Sequence, residues 1–251
     1  MSAASLRRTF ARDFARRAKA FHRLASTYPL TTDDVHDLRV TTRRLRASIA
    51  MLRHAGVREK TSRARRKLRA LGRLLGECRM LDVAIEDAER YRVSAAKLEL
   101  RRNRAYAALR RALAPSRVAA VSSLLEHIRE EIPDAHFEKL GRRLERSERD
   151  VERRLARAAP RSPRARHALR IEMKKIRYLI EAFGRQSPSM RRLQDGLGRE
   201  HDLAVLQSMT ARIPAAARDG RTARSRADRA REAALRSAMI HLRAIRSALQ
   251  R

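Results

Sequence analysis

The chain carries the stretch HDLRVTTRRLR at residues 36–46 and a second version of it, HALRIEMKKIR, at residues 167–177. The histidine and every cationic position of the first copy reappear in the second, 131 residues later (36 to 167). Neighbouring positions such as Thr41 and Glu172 differ. A repeat that keeps its charges while its neighbours change predicts a duplicated cationic surface for a polyanion, although an arginine-rich composition can also produce such a match by coincidence.

Each copy predicts a helix with a cationic face and a separate apolar face. At about 100° per residue, the basic side chains of the first copy fall within about a quarter-turn of His36, and its large apolar side chains centre about 120° away. The cationic faces comprise His36, Arg39, Arg43, Arg46 and Arg53, and His167, Arg170, Lys174 and Arg177. The apolar faces comprise Leu38, Leu45, Ile49 and Leu52, and Leu169, Ile176, Ile180 and Phe183. Arg44 and Lys175 point elsewhere and are weaker candidates.

The spacing of the cations suits a chain of phosphates. Successive cationic residues rise about 4.5 to 6 Å along the helix axis, so a phosphate chain can pass from one to the next. The histidines allow two interpretations. A histidine near a helix start commonly caps or packs, whereas two at matching positions beside arginines can contact phosphate as neutral donors or as cations favoured by the anion.

A second pair of segments also matches, LGECRMLDV at residues 75–83 and LGREHDLAV at residues 197–205. The glycine of each predicts a turn, after which a basic residue opens the next helix. Arg79 and His201 occupy equivalent places and are candidates for the polyanion surface. Asp82 and Asp202 are interpreted as helix caps or as carboxylates that hold arginines in place.

The rest of the sequence predicts an all-α fold. Ala, Leu, Arg and Glu dominate nearly every window, β-branched alternation is absent, and Gly and Pro are few. The repeat divides the chain at Pro133 into halves 1–132 and 133–251, each read as an antiparallel helical bundle. Residues 1–24 are arginine-rich like a transit peptide, but their apolar positions are matched after Pro133, which indicates the first helix of a repeat rather than a removable leader.

The charge balance points to a negatively charged partner. Lys and Arg number 61 against 28 Asp and Glu, a net charge of +33 that repels itself unless an anion neutralises it. Arginine far exceeds lysine; guanidinium groups grip phosphate with paired hydrogen bonds, but high-GC coding also favours arginine. The basic runs at 63–69, 101–111 and 142–166 are interleaved with Leu, Ala and Glu and are interpreted as solvated helix faces.

Other chemistry finds little support in the sequence. There is no phosphate-binding glycine loop, nucleophile elbow, paired histidine motif or acidic cluster for a metal, which predicts a binder that needs no metal or cofactor. A single cysteine, Cys78, and the lack of a long apolar stretch or signal peptide predict a soluble cytoplasmic protein with no membrane partner.

These motifs resemble those of the CHAD family, the conserved-histidine α-helical domains. The resemblance rests on the two His/Arg stretches, the second followed by Tyr178, and on the two Leu-Gly segments, in the family's order along essentially the whole chain. One departure is Met80, where the family usually carries an acidic residue; Asp202 retains it in the second half. No acidic β-barrel pattern for the often associated CYTH triphosphatase is present, which predicts a stand-alone CHAD protein.

The resemblance implies two pseudo-symmetric bundles whose His/Arg helices line a basic central cavity or pore. It also implies binding of inorganic polyphosphate and recruitment to polyphosphate granules. The alternative is a histone-like protein that binds nucleic acid non-specifically, since any chain with this charge holds DNA at low salt. Aromatic residues are only 4% of the chain, with no Trp, so platforms for stacking bases are scarce. A third possibility, a polyphosphate hydrolase, lacks visible metal ligands.

Overall fold

The computed structural model describes residues 3–58, 60–90, 94–133, 135–140, 142, 146, 162–182, 188–210 and 217–249. Within these ranges the regular structure is helical and no strand occurs, which confirms the predicted all-α fold. The helices are α1 (Ala3–Ala25), α2 (Thr32–His54), α3 (Thr61–Arg90), α4 (Ala96–Ala112), α5 (Pro115–Glu130), α6 (Pro163–Ala182), α7 (Pro188–Thr210) and α8 (Ala217–Leu249). No described helix is long and apolar enough to cross a membrane.

The described residues form two compact units. Unit 1 takes those within Met1–Arg79, Asn103–Glu148 and Tyr178–Gln186, and unit 2 takes those within Met80–Arg102, Arg149–Arg177 and Ser187–Arg251. Helices α3, α4 and α6 are divided between the two units, so that one end of each helix belongs to unit 1 and the other end to unit 2. The halves 1–132 and 133–251 are defined by the sequence repeat, not by packing, and they stay a prediction, as do the pseudo-symmetry and the central cavity.

The core of unit 1 is built around the aromatic side of α1. Phe10, Phe14 and Phe21 are buried, and the ring of Phe10 meets that of Phe137 edge-on at 5.5 Å between centroids. These apolar positions recur at helical spacing, so α1 turns one face to α2 and α5. Each buried aromatic ring stabilises the fold by about 1.5 to 3 kcal/mol. The first residues of the chain thus supply core, as predicted; the matching positions Leu144, Val151 and Leu155 lie outside the described residues.

Capping residues set both ends of α2. The Thr31 backbone N–H donates to the Asp34 carboxylate at 2.9 Å, and the Asp34 N–H donates back to the Thr31 hydroxyl at 3.1 Å. This reciprocal capping box stabilises a helix start by about 1 kcal/mol. At the other end Gly56 takes a φ of 101°, and the Val57 N–H reaches the Leu52 carbonyl at 3.0 Å. Glycine suits that left-handed position because it has no Cβ.

In unit 2, α7 and α8 approach each other closely. A Cβ added at Gly196 would lie 3.0 Å from the Ala238 Cβ and 3.1 Å from its Cα, so this glycine is required by packing. Ala238 follows Ala230 and Ala234 at four-residue spacing along α8 and is fully buried. Close approach of two helix backbones needs such small residues at the crossing point.

The predicted turns at Gly76 and Gly198 are wrong. Gly76 lies inside α3 and Gly198 inside α7, and both helices continue through them without interruption. A single glycine lowers helix propensity by about 1 kcal/mol relative to alanine, which flanking leucines that bury against the core readily offset. Arg79 and His201 therefore lie one turn further along the same helix as their glycine.

Candidate functional site

The two faces predicted for α2 are separate in the structure. Leu38, Leu45, Ile49 and Leu52 are each 0% exposed. The predicted cations of the other face remain accessible: His36 is exposed, and Arg39, Arg43, Arg46 and Arg53 are partly exposed. The helical periodicity of the sequence therefore identified both the core stripe and the cationic stripe of this helix.

The unit 1 part of α3 adds further cations beside this face. The ring of His36 is exposed but partly shielded from water by its neighbours; this partial desolvation lowers its pKa first, and the nearby Arg79 lowers it second. The pKa of Arg46 is lowered by burial first and then by Arg69, Arg65, Arg43 and Arg73. Because Arg79 acts on His36 near the start of α2, whereas the earlier Arg65 and Arg69 act on Arg46 further along it, the two helices run antiparallel. We call this surface the α2–α3 face. It comprises His36, Arg39, Arg43, Arg46 and Arg53 of α2 and Arg65, Arg69, Arg73 and Arg79 of α3.

Two of the candidate arginines are held by neighbouring side chains. Arg43 donates to the Tyr178 hydroxyl and lies over its ring, with its guanidinium carbon 5.5 Å from the centroid. Arg44 forms an ion pair with Glu181 at 3.0 Å. Tyr178 thus orients a cation of the α2–α3 face, whereas Glu181 neutralises Arg44.

In unit 2, helices α6 and α7 bring the candidates of the second copy together. The rings of His167 and His201 lie 5.1 Å apart between centroids. The pKa of His201 is lowered to about 4 by burial first, then by Arg170, His167 and Lys174, with Glu200 opposing. We call the surface formed by His167, Arg170, Lys174, Arg177 and His201 the α6–α7 face. Arg177 lies one turn after Lys174 and is half-buried.

Part of the second copy lies outside the description. The side chains of Lys175, Ile176, Ile180 and Phe183 are not among the described ones. Leu169 is half-buried, and Met173, which corresponds to the buried Thr42 of the first copy, is 1% exposed. The burial of the predicted apolar stripe of α6 is therefore described only for the first half of the helix.

Buried ion pairs fix the helices behind the α6–α7 face. Glu200 accepts hydrogen bonds from Arg166 at 3.2 Å and from Arg231 at 3.0 Å, which joins α6, α7 and α8. Arg166 and Glu200 are the direct chain neighbours of His167 and His201, so this bridge also holds the two rings together. Asp87 pairs with Arg199 at 2.7 Å, and Asp82 pairs with Arg102 at 2.8 Å. Asp82 therefore holds an arginine in place, as predicted.

A family model of the CHAD domain matches residues 15–211. The chain belongs to the CHAD domain family. Two solved structures share its fold. The CHAD domain from the plant Ricinus communis has a TM-score of 0.71 at 23% identity, covering 98% of this chain and 91% of its own. PptA from Streptomyces chartreusis has a TM-score of 0.73 at 17% identity, covering 95% and 98%. No curated protein matches this chain.

The α2–α3 face of this CHAD domain contains cations that sequence reasoning did not select. Arg65, Arg69 and Arg73 recur every four residues on α3, about 120° around the helix from the buried Leu68, Leu71 and Leu75. The four-residue spacing of these arginines places them on one face of α3. From the sequence alone, however, the run at 63–69 is interpreted as a solvated helix face. The packing of α3 beside α2 identifies these arginines as part of a shared cationic surface, because Arg46 of α2 lies among them.

The far end of the α2–α3 face forms a basic cavity of about 550 Å³. Its lining includes Arg53, His54, Arg58 and Arg65. Arg53 was a predicted binding residue, whereas Arg58 follows the end of α2 and Arg65 comes from the start of α3. In the described part of this CHAD domain, no group of three or more His, Cys, Asp or Glu side chains is placed to hold a metal ion.

Proposed function

We propose that this chain binds inorganic polyphosphate through its α2–α3 and α6–α7 faces, without catalysing a reaction on it. The observation that carries the proposal is the crowding of like charges on both faces. Arg46 is surrounded by four other arginines, and His201 by Arg170, Lys174 and a second histidine. Such crowding destabilises the free protein and is relieved by a ligand of high negative charge.

The dimensions of the α2–α3 face favour an extended ligand. From His36 to Arg53 the cationic face of α2 spans about 26 Å at 1.5 Å per residue. Cations from α3 accompany it along this length, from Arg79 at one end to Arg65 at the other. A chain of phosphates supplies one negative charge after another at this scale. The resemblance to CHAD domains supports the same ligand and extends the proposal to polyphosphate granules in the cytoplasm.

A competition titration at near-physiological salt tests the function. Long-chain polyphosphate is expected to displace duplex DNA from the chain when the two are present at equal phosphate concentration. Displacement in the other direction would favour the nucleic-acid alternative, in which counterion release supplies the binding energy. Both ligands are titrated in the same buffer because salt changes both affinities.

The absence of catalysis is tested separately. We expect no release of phosphate when the chain is incubated with polyphosphate and magnesium. Release that disappears when one acidic residue, such as Asp202, is replaced by its amide would instead establish a hydrolase.

Granule targeting is tested by imaging a fluorescent fusion in cells that store polyphosphate, with Arg39→Ala/Arg170→Ala as the variant expected to leave the granules.

A further inference from the structure

Gly76 and Gly198 occupy helix positions where packing does not require glycine. A Cβ added at either would meet no described atom within 4 Å, whereas one added at Gly196 would meet Ala238 at 3.0 Å. Neither has the left-handed backbone that makes Gly56 necessary. Alanine would raise helix propensity at both sites. The described part of the chain therefore gives no packing reason for these two glycines.

Both glycines lie on the cationic side of their helix. At 100° per residue, Arg69, Arg73 and Arg79 all fall within about 60° of Gly76 on α3. On α7, His201 falls about 60° from Gly198. The two glycines also hold equivalent places in the repeated Leu-Gly segments, three residues before Arg79 and His201. Open space beside each glycine is thus bordered by the cations of one face.

A buried polar side chain adds an independent observation on α7. Gln194 lies one turn before Gly198 and is 4% exposed, yet in the described part of the chain neither its amide nitrogen nor its amide oxygen has a hydrogen-bond partner. A buried amide without partners destabilises the fold unless another group satisfies it. Gln194 lies about 40° around α7 from Gly198, so its amide marks this side of the helix as one that the described chain leaves unsatisfied.

We propose that Gly76 of the α2–α3 face and Gly198 of the α6–α7 face are each a ligand-contact position, where a phosphate chain bound to that face passes so closely that a side chain would displace it. The inference rests on the proposed polyphosphate-binding function and adds a basis for selectivity. A polyphosphate chain has no side groups and is narrow enough to approach a helix backbone. Duplex DNA is too wide to do so, and long arginine side chains hold it at a distance. A methyl group at either glycine therefore disfavours polyphosphate selectively.

The test uses Gly76→Ala and Gly198→Ala in the full chain, with Gly76→Leu as a larger obstruction. Each alanine variant is expected to melt about 2 to 4 °C higher than the parent, because alanine favours the helix. Each is expected to bind long-chain polyphosphate about tenfold more weakly, and Gly76→Leu more weakly still. Binding of duplex DNA at low salt should stay within about twofold, since no charge changes.

Two control variants separate ligand contact from other effects. Ala70→Leu places the same side chain on an exposed position about 120° around α3 from Gly76 and should leave polyphosphate binding unchanged. Gly196→Ala should lower the melting temperature, because its Cβ meets the Ala238 backbone. Stable alanine variants that bind polyphosphate with parental affinity would overturn the inference, as would a loss of stability at Gly76→Ala and Gly198→Ala.

The outcomes for the parent chain distinguish this inference from the proposed function. If the parent prefers polyphosphate to DNA and the glycine variants keep that preference, only the contact at Gly76 and Gly198 is wrong. If the parent shows no preference for polyphosphate, the proposed function itself is wrong, whatever the glycine variants do.

Discussion

His201 lies against a second histidine and two cationic side chains on the α6–α7 face. Burial lowers its pKa to about 4, helped by Arg170, His167 and Lys174. At neutral pH the ring is therefore uncharged, so one of its nitrogens donates a hydrogen bond and the other accepts one. A bound polyanion opposes the nearby positive charges, so it raises the pKa of His201 towards the usual value and favours proton uptake.

This lowered pKa predicts a pH dependence of stability. In the unfolded chain a histidine titrates near 6.5, so between about pH 6.5 and 4 the unfolded state binds a proton that the folded state does not. The free energy of unfolding should therefore fall as the pH falls through this window. His201→Gln removes the group, and the melting temperature of this variant should decrease less between pH 6.5 and 4 than that of the parent.

Melting of the parent and of His201→Gln at pH 8 provides the control, because the ring of His201 is uncharged there in both the folded and the unfolded state. A parental slope in His201→Gln would show that other groups govern the acid side of the stability curve. His36, whose pKa is lowered by burial and by Arg79, contributes in the same direction.

At the scale of the helices, Glu200 holds α6, α7 and α8 together. Its carboxylate is buried and accepts from Arg166 and Arg231. Glu200→Ala should lower the free energy of unfolding by about 3 to 5 kcal/mol, since removing one partner of a buried pair leaves the other charge uncompensated. The midpoint of urea unfolding measures this loss.

The exposed pair of Glu232 and Arg236 on α8 provides a matched comparison. Its atoms lie 3.6 Å apart, and both side chains are 69% exposed. Glu232→Ala should change the free energy of unfolding by less than about 1 kcal/mol, because water and salt screen exposed pairs. Equal effects of the two substitutions would mean that Glu200 does not bridge the helices as described.

The cationic faces of α2 and α6 can be tested as elements. Arg39→Ala together with Arg170→Ala should weaken polyphosphate binding more than tenfold, since each arginine is the cation that follows the histidine of its face. Arg142→Ala together with Arg146→Ala removes the same charge from two exposed positions of the 142–166 run and should have a much smaller effect. Equal losses in the two double variants would indicate diffuse attraction without a formed site.

Over the whole molecule, the net charge of +33 opposes folding through self-repulsion. Raising the ionic strength from about 0.01 M to 0.15 M shortens the screening length from about 30 to 8 Å. The melting temperature should therefore rise with sodium chloride over this range, by several degrees. At equal ionic strength polyphosphate should raise it further, because a ligand that binds only the folded chain stabilises that state.

Differential scanning fluorimetry with matched salt series measures both effects. A melting temperature that falls with added salt would mean that attractive ion pairs outweigh the repulsion. A tripolyphosphate series at the same ionic strength shows whether a long chain is needed for the additional stabilisation.

The sequence by itself determined the helical fold class, the buried stripe of α2 and the cationic face beside it. These depend on local periodicity, which places Leu38 and Leu45 on one side of a helix and Arg39 and Arg43 on another whatever the neighbours are. Local information failed at Gly76 and Gly198, because a glycine is interpreted as a turn unless the packing that carries the helix through it is known.

Only the tertiary structure decided which side chains meet. The pairing of Glu200 with Arg166 and Arg231, the contact of Arg43 with Tyr178, and the arginines that α3 adds beside Arg46 all join residues far apart in the chain. Such contacts depend on how helices pack, and a pattern within one helix carries no information about its partner. The physical reason is that charge position along a helix is local, whereas the electrostatic environment of each charge is set by the neighbouring helices.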